Sequence, residues 1–149
     1  PDAQHLAPGT IWSIPCDIAI PAATQNEVSL ADAELLIANG CIAVAEGANM
    51  PTRPDAIARL QEAGVVFLPG KAANAGGVAT SGLEMRQNAQ RTQWSFEETD
   101  QQLSRIMQDI HAVCAETAEA YGHPGNYVLG ANCAGFVRVA DAMLAQGLI

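Results

Sequence analysis

The hydrophobic residues of the first half of the chain form short continuous runs, and those of the second half recur at helical spacing. The runs cover residues 16–20, 41–47 and 65–68, and a loop rich in Pro, Gly or other small residues follows each of them. Continuous apolar runs of this length are typical of parallel strands that are covered on both faces. We therefore predict three buried strands, at 16–20, 42–45 and 65–68.

Helices are predicted between these strands. Ser29 and Asp32 form a near relative of a capping box at the start of the first helix, which stops at the Asn-Gly pair 39–40. The next helix has Pro54 near its first turn and Gly64 at its end. Three strands that alternate with helices imply right-handed crossovers, so the sequence predicts an α/β fold with a partial, Rossmann-like parallel sheet of about three βα units.

The loops that leave the carboxyl ends of parallel strands lie along one edge of the sheet. In this chain they carry small residues and four uncharged amides, namely Gln25, Asn26, Asn49 and Asn74. Such a lining suits hydrogen bonds to ribose hydroxyls and to a nicotinamide carboxamide. Each amide taken alone is more often a cap or a turn residue, and Asn26 and Asn49 fit that interpretation as well.

The stretch 71–85, directly after the third strand, is dominated by Ala and Gly around three polar residues, Asn74, Thr80 and Ser81. If a helix starts near Asn74, its free N–H groups favour an anion or a carboxamide oxygen. A Gly-rich turn before a tightly packed helix explains the pattern equally well, since the chain has no G-x-G-x-x-G fingerprint. A dinucleotide site needs such a fingerprint turn, and we expect the half of the sheet that carries it to precede residue 1.

The last third of the chain is predicted to be helical. Ser95 and Glu98 form a capping box, and the helix that follows is closed by Gly122 and Pro124. A final helix is predicted over about 131–146. Its start is rich in Gly and Ala, so we expect another backbone to pack closely there, and that partner could lie outside this chain.

Composition and charge narrow the classes of function. With 149 residues and 49% hydrophobic content, the chain can bury one sizeable core, so one compact domain or a large part of one is expected. A formal charge of −9 without a Lys/Arg cluster argues against nucleic acid and anionic membranes as partners. We expect no apolar run that approaches the roughly 20 residues needed to span a bilayer, and no signal peptide is visible.

The cysteines predict neither a metal site nor a disulfide. Cys16, Cys41, Cys114 and Cys133 show no C-x-x-C spacing, and the three histidines form no ligand pair with them. We therefore expect buried free thiols and no metal site. Free thiols fit a reducing cytoplasm.

Four long segments of the chain agree in order and spacing with one known family; they are 15–27, 44–52, 69–85 and 130–147. They closely resemble the hexameric, bacterial NADP-type glutamate dehydrogenases, and 148–149 looks like that family's natural C-terminus. The resemblance implies that residues 1–149 are the C-terminal half of a coenzyme-binding domain, with βα units in 1–92 and C-terminal helices in 93–149. The substrate domain, with its catalytic lysine and aspartate, would lie upstream together with the Gly-rich turn. We therefore expect no catalytic residue in this chain.

The resemblance also assigns roles to individual residues. Ser81 resembles the family's serine that binds the side-chain carboxylate of glutamate, and Asn74 matches the asparagine near the nicotinamide. Gln25 and Asn49 lie on loops that line the nicotinamide-ribose site in the family. The pair at 22–23, Ala-Ala, departs from a pattern that often has Cys, and this small-for-small change leaves the assignment intact.

The implied reaction of the intact enzyme is the reversible oxidative deamination of L-glutamate to 2-oxoglutarate and ammonia with NADP, NAD not being excluded. The implied protein is a cytoplasmic homo-oligomer, a hexamer by resemblance. One alternative is a leucine- or phenylalanine-type dehydrogenase, which Ser81 disfavours because that position is apolar in those enzymes. Another is a non-catalytic nucleotide-binding or oligomerisation module.

Overall fold

The computed structural model describes residue 6 and residues 11–147. Residues 148–149, which contribute to the family resemblance, lie outside the described residues. The chain divides into two compact units, the first ending at Gly70 and the second beginning at Lys71.

The first unit alternates strands and helices. Its elements are a short 3-10 helix Ile11–Ser13, β1 (Ile18–Ala19), α1 (Leu30–Ala38), β2 (Ala43–Ala45), α2 (Pro54–Glu62) and β3 (Val66–Leu68). A four-residue helix, α3 (Gly70–Ala73), starts at the end of this unit.

The three strands form one parallel sheet in the order β1-β2-β3. Ile18 pairs with Ala43, and Ala43 in turn pairs with Val66. The predicted α/β fold and the predicted neighbours are therefore confirmed. Each strand is shorter than its apolar run, because only part of the run pairs with the neighbouring strand.

The helix ends of the first unit follow the local signals in the sequence. The Ser29 N–H donates to Asp32 Oδ2 at 2.9 Å and the Asp32 N–H donates to Ser29 Oγ at 3.3 Å, so the capping box of α1 is complete. Gly40 (φ 80°) and Gly64 (φ 78°) adopt the left-handed conformation just after α1 and α2. These helix ends are confirmed as predicted.

The core of the first unit lies on one face of the sheet. Ala19, Val44 and Phe67 are buried there, together with Leu36 of α1 and Leu60 of α2. Two consecutive right-handed crossovers in the same direction place both helices on the same side. These two helices do not cover the other face of the sheet.

The uncovered face shows in the exposure of the strand residues that point towards it. Ile18 is 57% and Val66 is 45% exposed, and Ala43, which pairs with both, is only partly buried. The expectation that β2 is covered on both faces is therefore wrong for the described residues. A continuous apolar run does not indicate which face a helix will cover.

The second unit is helical, as predicted. After the end of α3 it contains α4 (Gly76–Gln90), α5 (Phe96–Ala120) and α6 (Tyr127–Gln146). The Ser95 N–H donates to Glu98 Oε2 at 2.7 Å and the Glu98 N–H donates to Ser95 Oγ at 3.1 Å, which confirms the capping box of α5.

The last helix starts earlier than the sequence predicts. The prediction began it at about residue 131, but α6 starts at Tyr127 because Asn126 Oδ1 accepts the Leu129 N–H at 3.0 Å and caps the first turn. Its partner is α5. A Cβ at Gly130 would overlap the Cys114 carbonyl oxygen and lie 3.3 Å from Ala118 Cβ, so the two backbones touch. The expected close approach is confirmed, and its partner lies within this chain.

By length and composition alone, one helix in the described part of the chain could cross a membrane. It is α6. An 18-residue segment of this helix has a mean hydropathy of 1.3, and 11% of that segment is buried. The expectation that no apolar segment approaches this length is therefore wrong. Because helices of soluble proteins pass the same test, and Arg138 and Asp141 lie within α6, this is weak evidence for a membrane segment.

Candidate functional site

Two loops at the carboxyl edge of the sheet are joined by backbone hydrogen bonds. The N–H groups of Gly47 and Ala48 donate to the Pro21 carbonyl at 2.9 and 3.1 Å. The Asn26 N–H donates to the Met50 carbonyl at 3.0 Å. The loop after β1 and the loop after β2 therefore form one continuous surface in the first unit.

Gln25 and Asn49 lie on these two joined loops, and both residues are exposed. Each of them precedes a residue in the left-handed conformation, Asn26 (φ 59°) and Met50 (φ 51°). Asn tolerates this conformation, whereas for Met it is uncommon and strained. The hydrogen bonds between the loops hold this conformation, so the structure brings Gln25 and Asn49 together on a well-defined backbone.

Gly47 is required where the two loops meet. A Cβ at this position would lie 2.9 Å from Ala22 Cβ, which is closer than real contacts allow. Small residues at 22 and 47 thus let the two backbones approach each other.

Glu46, for which the sequence pattern predicted no role, fixes the geometry of the loop after β2. Its side chain is 4% exposed. Oε1 accepts the Thr52 N–H at 3.2 Å and Oε2 accepts the Gly70 N–H at 2.6 Å. One carboxylate therefore joins the end of its own loop to the residue at the start of α3. One feature of the sequence could have revealed this role. Glu46 is an acidic residue at the end of an apolar run, and an acidic residue that becomes buried almost always has a partner.

Thr52 completes this buried corner. It is 3% exposed, and within the described residues its Oγ1 has no hydrogen-bond partner. Its backbone is held by Glu46 and by a parallel bridge to Val28. The Thr52 hydroxyl is thus buried although nothing accepts or donates to it there.

In the second unit, Asn74 lies in the turn between α3 and α4. The prediction of a helix that starts near Asn74 is therefore off by two residues: α4 starts at Gly76, after Ala75, which provides no side-chain cap. Asn74 is partly buried and takes part in an interaction with its surroundings. It is not the cap of the helix that follows.

Ser81 lies in the second turn of α4 and is exposed. Its hydroxyl donates to the Gly77 carbonyl at 3.2 Å. The neighbouring Thr80 makes the same type of bond, to the Gly76 carbonyl at 2.9 Å. Both hydroxyls use their hydrogen within the helix, so either would have to rotate before it could donate to a ligand.

An open cavity of about 530 Å³ lies among α3, α5 and α6 in the second unit. Ile110, Cys114 and Ala131 line it with apolar surface, and Lys71 and Arg138 are also among its lining residues. Lys71 Nζ donates to Asn132 Oδ1. This lysine is the first residue of the small-residue stretch 71–85, and its side chain contacts α6.

The four cysteines are free thiols, and burial raises the pKa of Cys114 above its usual value. Within the described residues, no group of three His, Cys, Asp or Glu side chains is close enough to hold a metal ion.

Comparisons with known proteins agree on one family. A family model for glutamate/leucine/phenylalanine/valine dehydrogenases matches residues 1–147. The chain is 63% identical over 138 residues to the NADP-specific glutamate dehydrogenase of Escherichia coli K12, which covers 93% of this chain and 31% of that protein. It is 56% identical over 137 residues to the NAD(P)-specific glutamate dehydrogenase of Xylanibacter ruminicola, covering 92% and 31%.

A solved structure agrees with these relatives. The glutamate dehydrogenase of Plasmodium falciparum superposes with a TM-score of 0.90 at 48% identity, covering 93% of this chain and 30% of that chain. The chain thus spans about a third of the length of the relatives that it matches.

Proposed function

The chain belongs to the glutamate/leucine/phenylalanine/valine dehydrogenase family, and we propose that it supplies the second half of the coenzyme-binding domain of an NADP-dependent glutamate dehydrogenase. The reaction would be the reversible oxidative deamination of L-glutamate to 2-oxoglutarate and ammonia. The observation that carries the proposal is the 63% identity to an NADP-specific enzyme across 93% of this chain. In this proposal βα units occupy 1–92 and C-terminal helices occupy 93–149.

The joined loops at the carboxyl edge fit the nicotinamide end of the coenzyme. Gln25 and Asn49 offer neutral amide groups, and the small residues at 22 and 47 leave room for a ligand close to the backbone. The nearby acid, Glu46, is buried and accepts backbone N–H groups. Its charge is therefore stabilised inside the fold instead of facing the ligand.

When bound, NADP would supply the hydride chemistry, and this chain would orient the reacting groups. Asn74 would bind near the nicotinamide, as the matching asparagine does in the family. NAD is a second candidate, since one relative is named NAD(P)-specific. We also propose a homohexamer and a cytoplasmic location, both on the family resemblance.

Ser81 would recognise the side-chain carboxylate of glutamate. Its hydroxyl now donates to the neutral Gly77 carbonyl. A carboxylate is a stronger acceptor, so the hydroxyl would rotate from Gly77 to the substrate. An apolar residue at this position would favour a branched or aromatic amino acid, which distinguishes glutamate dehydrogenases from leucine- and phenylalanine-type enzymes.

A chimaera tests the proposed function. The aligned 138 residues of the chain would replace the matching segment of the Escherichia coli enzyme, and absorbance of the reduced coenzyme would be followed with L-glutamate, L-leucine and L-phenylalanine. We expect turnover with L-glutamate and NADP. A chimaera that assembles like its parent and prefers L-leucine, or that has no activity with any of the three, contradicts the proposal.

The role of Ser81 is tested in the same chimaera. Ser81→Val should lower kcat/KM for glutamate by roughly 10- to 100-fold, because it removes a hydrogen bond to a charged group worth about 1.5–3 kcal/mol. Thr80→Val is the matched control, since it loses the same type of bond to a carbonyl four residues earlier. Equal effects of the two variants would show that Ser81 acts only within its helix.

A further inference from the structure

Two cysteines lie at matching positions just before two neighbouring strands. Ile18 of β1 pairs with Ala43 of β2, and Cys16 and Cys41 each lie two residues before the paired residue of their strand. The pairing extends towards these residues, because the N–H groups of Ile42 and Ala43 donate to the Asp17 carbonyl at 2.8 and 3.3 Å. Neighbouring strands lie about 4.8 Å apart. This spacing falls within the Cα separation of about 4.4–6.8 Å that a disulfide spans.

The side chains of the two cysteines also meet. Cys41 Sγ donates to the Asp17 carbonyl at 3.6 Å and lies 3.2 Å from the Ala43 carbonyl oxygen. Burial and then the nearby Cys41 thiol raise the pKa of Cys16, so the two thiols are neighbours. Both are free thiols, so the structure holds the reduced form of the pair.

We propose that Cys16 and Cys41 form a redox-responsive thiol pair, which closes to a disulfide when it reacts with an oxidised low-molecular-weight disulfide such as oxidised glutathione. This site lies outside the residues proposed for coenzyme and substrate, and it does not depend on the proposed function.

The two thiols have different roles because they differ in exposure. Cys41 is buried, whereas Cys16 is only partly buried and is the one that a reagent reaches first. The Cys16 thiolate attacks one sulfur of the small disulfide and releases one small thiol. The Cys41 thiolate then attacks Cys16 Sγ and releases the second small thiol. Two electrons pass from the cysteine pair to the small disulfide, and the two protons end on the released thiols.

The surroundings of the pair make this reaction depend on pH. Burial raises the pKa of the Cys16 thiol, and the contact with Cys41 and the charge of Asp17 raise it further. Less of the reactive thiolate is therefore present at neutral pH than for an exposed cysteine. The rate of closure should rise with pH until it passes through this raised pKa.

The disulfide can be detected in the chain itself by peptide mapping. The native chain would be equilibrated with mixtures of reduced and oxidised glutathione, its remaining thiols alkylated, and the protein cut after glutamate. Glu27 and Glu34 lie between the two cysteines, and Glu46 follows them, so the disulfide would join peptide 1–27 to peptide 35–46. We expect this linked pair to exceed every other cysteine pairing by about tenfold or more, because the register holds the thiols at high effective concentration.

Two variants separate the roles of the thiols. In Cys41→Ser the reaction should stop at a glutathione adduct on Cys16, which persists because no second thiol releases it. Cys133→Ser is the matched control, since Cys133 is also partly buried but lies in the second unit, and it should leave the linked pair unchanged. Two results would overturn the proposal. In the first, the linked pair forms only in denaturant; in the second, glutathione adducts form on Cys16 in the native chain but never convert to the linked pair.

Discussion

At the scale of single residues, the buried carboxylate of Glu46 holds the loop after β2. We expect Glu46→Gln to lower the free energy of unfolding by about 1–3 kcal/mol, because the new amide group would face a backbone N–H and leave it without an acceptor. Urea denaturation measures this loss.

Glu27→Gln is the matched control for this prediction. The Glu27 carboxylate also accepts two backbone N–H groups, from Ala23 at 3.2 Å and Thr24 at 3.4 Å, but in an exposed position. Water can replace these bonds, so the change should stay within about 0.5 kcal/mol. Similar losses for both variants would mean that burial of Glu46 contributes nothing.

The side-chain hydrogen bonds that could be predicted from the sequence were those between residues close together in the chain. The Ser29 and Ser95 caps each bond three residues ahead, so their pattern is visible in the sequence. Glu46 bonds to residues 52 and 70, and the second of these partners is brought near only by the fold. The proximity of Cys16 and Cys41 likewise depends on the pairing of β1 with β2, which a search for cysteine spacing does not test.

At the scale of helices and strands, α5 and α6 depend on one glycine. Gly130→Ala places a methyl group against the Cys114 carbonyl, and we expect a loss of about 3 kcal/mol or more because a backbone atom must move. Gly135→Ala in the same helix meets nothing within 4 Å. It should stabilise the protein by up to about 1 kcal/mol through helix propensity. Thermal unfolding of both variants checks the prediction, and equal melting temperatures would contradict it.

The elements themselves were predicted in type and order, while their ends were predicted only where a side chain marks them. The start of α4 at Gly76 has no side-chain cap, so nothing in the local sequence identifies it. The start of α6 was marked by Asn126, but the run of small residues further along suggested a later start. The handedness of the strand-to-strand crossovers decides which side of the sheet α1 and α2 cover. An apolar run alone does not reveal that side.

At the scale of the whole molecule, the chain spans about a third of the length of its relatives. We expect these 149 residues alone to show no turnover with L-glutamate and either coenzyme, because under the proposed function the general base and the pyrophosphate-binding turn are in the remainder of the enzyme. An assay of the purified chain by absorbance of the reduced coenzyme checks this. Measurable turnover would mean that catalytic residues lie within this chain.

The carboxylate of Glu46 has a further consequence for how the first unit opens. Its two oxygens hold the amides of Thr52 and Gly70, one in a loop and one after a different strand. Neither amide can exchange its hydrogen with solvent through local fraying alone, since displacing the carboxylate releases both. The two amides are therefore expected to exchange in a single cooperative opening, which couples residues 18 positions apart in the chain.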